Sequence, residues 1–249
     1  MSERIYSRIA GTGSALPVRV VSNDELAQRV ETSDEWIATR TGIRQRHVAG
    51  EGETTMSLGR DAALRAMEAA GVQPGEIDLI VFGTTTPNLI FPSSACLMQA
   101  ELGIAGCPAF DVNAACCGFV YAISVADKFI RAGDAKTALV VGSETLTRMV
   151  DFSDLFTGGL CGFFAGAVVL KADAETGILS THLHADGAKK ELLWNPVGVS
   201  EGFRPDEENA GVRVLMSGNE VFKHAVRALD SLVDETLQAL HVPAERLMG

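Results

Sequence analysis

The stretch Ala109–Ile123, AFDVNAACCGFVYAI, holds the residues best suited to covalent chemistry. A short strand-like run, AFDV, leads into small residues, then Cys116, Cys117 and Gly118, then an apolar helical run. That order predicts Cys116 at a strand-to-helix turn beside a helix N-terminus. There the helix dipole and free N–H groups favour a thiolate, lowering its pKa and making it nucleophilic. Ala114, Ala115 and Gly118 leave room for a substrate carbonyl. On these residues alone the competing reading stays open: both cysteines could be buried, inert core thiols, because free cysteine packs as a small hydrophobe. Trp36 and Arg40, four apart, offer a stacking face and a fork for phosphate oxygens, or else an ordinary amphipathic helix anchored by its ring. Lys223 and Arg227 are also four apart, as a solvated pair or as a basic docking point for an acidic partner. His182 and His184 alternate on a strand-like run, but no third ligand is spaced to complete a metal site, so none is expected.

The elements that must position these residues read as an α/β fold. Ile77–Gly83 and Thr137–Gly142 are short, apolar and bounded by polar residues or glycine, as buried central strands are. Thr54–Gly71, Ser94–Gly103 and Cys117–Gly133 read as helices ending at glycine. Two capping-box patterns, Ser22–Glu25 and Thr32–Glu35, each open a short helix. After about residue 171 the pattern restarts: a strand Ile178–His184, a loop rich in Pro and acidic residues, and a strand Val212–Met216. A long amphipathic helix Ser217–His241 follows, with Val221, Ala225, Leu229, Leu232, Thr236 and Leu240 on one stripe.

Composition narrows the function classes. With 47% hydrophobic and 21% charged residues, the chain is an ordinary globular one and can bury a substantial core. Many Gly and Ala with few rings suit helices packed closely on a sheet. A net charge of −11 argues against nonspecific nucleic-acid binding, which uses a basic stripe. The five cysteines, 96, 107, 116, 117 and 161, show neither a disulfide framework nor zinc spacing, which fits a reducing cytosol. The opening MSERIYSRIAG lacks a signal-peptide pattern, and no stretch approaches the roughly 18 apolar residues of a membrane span. The expected location is cytoplasmic, with no membrane partner.

Several motifs together resemble the β-ketoacyl-acyl-carrier-protein synthase III family of condensing enzymes. The nucleophile stretch is similar to the family's DV-x-AACAGF, with Cys117 where alanine is usual. Thr32–Arg44, TSDEWIATRTGIR, is similar to its TSDEW-I-x-TRTGI-x-R signature, and TTTPNLIFPSSA, LVVGSET, LHADG and MSGNEVFK add to the match. The resemblance implies a thiolase-like layered αβαβα fold of two pseudo-equivalent halves. The first would span 1–174 and carry the nucleophile; the second, 175–249, would be incomplete. It implies that Cys116 accepts an acyl group from acetyl-coenzyme A or another acyl-coenzyme A. Decarboxylative condensation with malonyl-acyl carrier protein would follow, initiating fatty-acid synthesis. Thr32, Trp36 and Arg40 would line the coenzyme A entrance, with Met216 and Gly218 beside the pantetheine tunnel. Phe91 would close the partner's acyl pocket in a homodimer, and Lys223 and Arg227 would dock the carrier protein. No cofactor is implied. Other outcomes are a condensing enzyme of the same fold with a different acyl substrate, or a non-catalytic truncated fragment.

Two departures carry expectations. In Asp154–Gly166 Leu155 stands for an arginine that sandwiches adenine with Trp36, so coenzyme A binding should weaken. Phe163 and Phe164 stand for an Asp–Gly pair, so two rings should strain the turn or overpack the core. An altered stretch of gene would account for both. The family's catalytic histidine, in a PHQAN motif, and a later asparagine would fall beyond Gly249. The 249 residues are therefore expected to show at most slow self-acylation and to form no β-ketoacyl product. Labelled acetyl-coenzyme A with malonyl-acyl carrier protein tests this, with Cys116→Ser as the blank. Full turnover would show that the C-terminal register with the family is misplaced, or that a residue within 1–249 performs the histidine's role.

Overall fold

The computed structural model describes residues 5–150, 152, 154, 162, 164–201 and 214–242. Along them run β1 (Tyr6–Ala15), β2 (Arg19–Ser22), α1 (Asn23–Ala27), α2 (Asp34–Thr41), β3 (Gln45–Val48), α3 (Thr55–Ala70), β4 (Leu79–Gly83) and α4 (Ser94–Glu101). Then come β5 (Ala109–Val112), α5 (Gly118–Ala132), β6 (Thr137–Ser143), β7 (Ala165–Asp173), β8 (Leu193–Trp194), β9 (Leu215–Met216) and α6 (Gly218–Leu240). The chain divides into two units. The first comprises Met1–Val20, His47–Leu146 and Gly162–Thr181; the second Val21–Arg46, Thr147–Cys161 and His182–Gly249. Among the described residues no helix is long and apolar enough to cross a membrane.

The first unit is built on a five-stranded sheet of order β1-β7-β6-β4-β5. β6, β4 and β5 are parallel; β7 runs antiparallel to β6, and β1 antiparallel to β7, in the same direction as the central strands. Successive side chains of a strand point to opposite faces. Ile80, Phe82, Leu139 and Val141 accordingly join one core cluster, while Leu79, Val81, Ala138 and Val140 join another. A strand apolar on both faces needs a helix layer on each. α3 and α4 cover the first face, and α5 covers the second with Ala122, Ala126 and Ile130. The central strands and the helices α3, α4 and α5 thus form where the apolar patterns predict.

Small residues set the layer spacing. α3 turns Ala62, Ala63 and Ala66, all fully buried, toward the sheet. Opposite them β1 offers Gly11 and Gly13. A methyl at Gly13 would fall on the Ala62 carbonyl oxygen, 2.5 Å from the Ala66 nitrogen and 2.8 Å from the Arg65 Cβ. The helix itself starts with a reciprocal cap: Thr54 Oγ1 accepts from Ser57 N–H at 3.0 Å, and Ser57 Oγ accepts from Thr54 N–H at 2.9 Å.

Some sequence expectations are corrected. The second capping box starts one residue late: Ser33, not Thr32, caps α2, accepting from Trp36 N–H at 3.1 Å. This leaves Asp34 and Glu35 in the first turn, where the helix dipole favours them. Residues 177–186 form no strand. Ile178 N–H does reach the Ser7 carbonyl at 2.8 Å, but the Arg131 guanidinium takes the Ile178 carbonyl at 2.5 Å, in the place of a ladder partner. β9 covers Leu215–Met216 of the expected strand, whose residues 212–213 lie outside the described residues. On α6, Ala225 and Leu229 of the expected stripe are exposed, and Val221, Leu232, Thr236 and Leu240 are half-buried. A second apolar line, Phe222, Val226, Leu229 and Val233, faces solvent. Phe164 is 65% exposed, so its ring does not overpack the core; Leu155 and Phe163 lie outside the described residues.

Gly13→Ala should destabilise the protein by about 1–3 kcal/mol, the usual cost of an added methyl in a packed site. Denaturant melting reads the change. A loss under about 0.5 kcal/mol, the ordinary range for surface substitutions, would show that α3 lifts freely off β1.

Candidate active site

The parallel strands β4, β5 and β6 end side by side, with Gly83 opposite both Val112 and Gly142. The start of α5 lies on these ends because they carry no side chains. A Cβ at Gly83 would sit 2.7 Å from the Gly118 carbonyl carbon, and one at Gly142 2.9 Å from the Phe119 ring. Thr84 N–H donates to Val112 O at 3.1 Å, tying the chain after β4 to the end of β5. Between β5 and α5 the backbone makes one 3-10 turn, Ala115–Cys117, entered through Ala115 at φ 46°. Alanine in this left-handed region carries local strain, a feature common at functional sites. The turn presents Cys116 and Cys117 as exposed free thiols, so neither is a core residue.

The electrostatics correct the expected thiolate. Cys116 lies before α5, in the 3-10 turn. Burial pushes its thiol up, Cys117 pushes the same way, a backbone hydrogen bond pulls it down, and Glu144 adds a further upward push. These pushes run opposite to the expected lowering.

Beside it a network rich in threonine joins three elements. Glu144, just after β6, accepts from Thr85 N–H at 2.7 Å and from the Thr86, Thr85 and Thr84 hydroxyls at 2.6, 3.1 and 3.4 Å. Thr55, at the start of α3, donates to Thr86 O at 2.6 Å, and Ser143 Oγ donates to Thr55 O at 2.8 Å. Burial raises the Glu144 pKa, and the threonine hydrogen bonds oppose the rise. Sequence reading noted these stretches as family-like but gave Glu144 no part. The available signal was an acidic residue directly after the small Gly142–Ser143 end of a buried strand.

The remaining predicted residues divide between the units. Phe91, in the first, is 83% exposed beside Ile90 at 72%, and precedes a cis proline bond. In the second unit α2 brings Trp36 and Arg40 together, the guanidinium 4.4 Å from the ring centroid. One face of the ring is thus occupied by Arg40 itself. The neighbouring Thr32 hydroxyl is buried and has no hydrogen-bond partner among the described residues. Met216 pairs with Leu193 in the β8–β9 ladder, and Gly218 is the first residue of α6. Lys223 and Arg227 are exposed one turn apart on α6, with Lys223 bonded to Glu220 at 2.7 Å. His182 and His184 both reach Glu235, at 2.9 and 2.7 Å, a convergence invisible in the sequence spacing. Among the described residues no group of three or more His, Cys, Asp or Glu is arranged to hold a metal ion.

The comparisons with known proteins agree on one assignment. Residues 110–187, which include the cysteine turn, match the family described as 3-oxoacyl-[acyl-carrier-protein] synthase III. A relative from Xanthomonas campestris pv. campestris (strain 8004), a β-ketoacyl-[acyl-carrier-protein] synthase III, is 69% identical over 239 residues, covering 96% of this chain and 73% of that protein. The chain belongs to the β-ketoacyl-acyl-carrier-protein synthase III family. Its fold is that of the synthase III from Aquifex aeolicus VF5, with TM-score 0.87 and 43% identity over 96% of this chain and 73% of that one. The priming β-ketosynthase of the R1128 polyketide pathway matches with TM-score 0.89 and 34% identity, over 97% of this chain and 72% of that one. The thiolase-like α/β class read from the family's motifs is the observed one.

Because burial, Cys117 and Glu144 all raise the Cys116 thiol, its thiolate fraction is lower at neutral pH than that of a free cysteine. The rate of Cys116 alkylation by iodoacetamide, followed by peptide mass spectrometry, should rise with pH through a midpoint above the free-thiol value of about 8.5. A midpoint below 7 would show that the helix N-terminus dominates.

Proposed function

We propose that this synthase III family member transfers an acyl group from an acyl-coenzyme A to Cys116, the first half of a decarboxylative condensation with malonyl-acyl carrier protein that initiates fatty-acid synthesis. The observation that carries the reading is the exposed Cys116 on a strained turn at the C-terminal ends of parallel strands, where open α/β sheets bind ligands. The Cys116 sulfur attacks the thioester carbonyl once its proton has left, coenzyme A departs as its thiol, and an acyl-cysteine remains. The Gly118 N–H is taken by the Ala115 carbonyl, so other backbone N–H groups near the start of α5 supply the donors for the developing oxyanion.

The other assignments belong to the same reading. Residues 1–174 form the half that carries the nucleophile, and 175–249 belong to the second. Thr32 and Trp36 receive the coenzyme A adenine end, with Arg40 meeting phosphate. This is supported by the unpartnered Thr32 hydroxyl and by an arginine that shields one face of the ring. Met216 and Gly218 flank pantetheine. Phe91 enters the partner protomer of a homodimer, which the exposed Ile90–Phe91 pair supports. Lys223 and Arg227 meet the acidic carrier protein, and the protein works in the cytoplasm. The similarity to a polyketide priming ketosynthase favours a second reading, a condensing enzyme of the same fold with a different acyl substrate.

Incubation with acetyl-coenzyme A or longer acyl-coenzyme A, followed by intact-mass and peptide analysis, tests the proposal. The adduct should map to Cys116, vanish in Cys116→Ser and persist in Cys117→Ala. The reverse pattern would move the nucleophile to Cys117. No adduct with any acyl chain would make this a non-catalytic binding protein.

A further inference from the structure

Helix α6 turns an apolar line to solvent, and that line is regular. Phe222, Val226, Leu229 and Val233 follow a 4-3-4 spacing, with Phe222 67% and Leu229 63% exposed. The spacing keeps all four on one stripe, about three turns and 16 Å long. The other side of the helix is fixed to its own unit. Val221 and Leu232 are half-buried there, and Glu235 meets His182 and His184 at 2.9 and 2.7 Å. The line is therefore held outward, and a row of exposed apolar side chains calls for a partner.

The charges beside the line say which partner. Each of its members is followed by a charged residue: Lys223, Arg227, Asp230 and Asp234, all exposed. These four flank one edge of the stripe, two positive toward the helix start and two negative toward its end. Two copies of α6 laid antiparallel bring Phe222 against Val233 and Val226 against Leu229. The same alignment sets Lys223 and Arg227 of each copy against Asp230 and Asp234 of the other. A parallel pair would place like charges together, and flanking charges of this kind set helix orientation. We propose that α6 is a self-association surface, on which two copies of this chain pair antiparallel along Phe222, Val226, Leu229 and Val233. A two-fold contact uses one patch on both copies, as this self-complementary pattern does. Lys223 also meets Glu220 of its own helix at 2.7 Å, an exposed pair weak enough to exchange. The surface is separate from the one proposed for Phe91. It includes the residues proposed to meet the carrier protein, so each copy covers the other's docking point. That consequence rests on the proposed docking; the pairing does not.

Zero-length carbodiimide cross-linking of the unaltered protein, with isotope-labelled and unlabelled chains mixed, reads the geometry. On its own helix Lys223 lies about 10 Å along the axis from Asp230 and about 16 Å from Asp234, beyond direct reach. Links from Lys223 to either aspartate should therefore join a labelled to an unlabelled chain. Sedimentation measures the strength. A seam of three turns is smaller than a standard interface, so the dissociation constant should be on the order of 10 μM. Leu229→Glu puts a charge in the seam and should weaken pairing at least about tenfold. Lys223→Glu with Arg227→Glu should weaken it about fivefold at low salt, and adding Asp230→Lys with Asp234→Lys should restore it. All five positions are exposed, so the variants should keep the fold, which circular dichroism checks. Phe91→Ser should leave the Lys223 links in place. Absence of mixed-chain links would overturn the proposal, as would association unchanged by Leu229→Glu or a fully reversed chain that fails to recover. Excess carrier protein should reduce the links. Links that persist beside it sink the shared docking alone; links absent without it sink the pairing alone.

Discussion

The close approach of α5 to the ends of β4 and β6 is the contact on which the site depends. Gly83 and Gly142 provide a floor without side chains, and Gly118 brings the helix backbone down onto it. With the helix start fixed there, and β5 fixed beside β4, few residues remain to span from Val112 to Gly118. The chain closes that gap by turning tightly, with Ala115 in the left-handed region and Cys116 at the exposed bend. Larger residues would push the helix outward and relax the turn. The strain at Ala115 thus follows from packing at the neighbouring glycines, which hold it in place.

The same economy of side-chain size governs the opposite face. Alanines of α3 on the glycines of β1 bring helix and sheet into backbone contact, and this sets where the N-terminus of α3 falls. Thr55 at that end then reaches Thr86 and Thr145, at 2.6 and 3.0 Å. The polar cluster around Glu144 is therefore assembled from α3, the turn after β4 and the end of β6 by apolar packing beneath it. A buried polar network is useful only when its members are satisfied, and most of these groups find at least two partners.

How much of this the sequence shows depends on whether a feature is local. Strands β4 and β6 are legible because they are apolar on both faces, and α3, α4 and α5 because they stop at or close to glycine. The cysteine turn is legible because small residues between a strand and a helix leave few alternatives. The cap at Ser33 differs by one position because Thr32 and Ser33 are both good caps, and only the backbone chooses. What is not legible is convergence over long separations. Glu144 meets Thr84–Thr86 across about sixty positions, and Glu235 meets His182 and His184 across about fifty. The direction of the Cys116 shift is not legible in local sequence for the same reason. The helix dipole is visible in local sequence, whereas burial and a distant carboxylate are not.

A raised thiol pKa does not disqualify Cys116 as a nucleophile, because two effects oppose each other. Each unit of increase lowers the thiolate fraction at neutral pH about tenfold. It also makes that thiolate intrinsically more reactive, by roughly threefold on a Brønsted slope near 0.4–0.5. The net loss is only about threefold per unit. In return the resting thiol resists alkylation and oxidation, both of which act on the thiolate. In the proposed acyl transfer the deficit is recovered where charge develops, through backbone N–H donors near the turn, which act on the transition state and not on the resting thiol. Two tasks are thus separated in the proposed acyl transfer: the surroundings of Cys116 push its thiol pKa up, and backbone N–H donors near the turn receive the oxyanion.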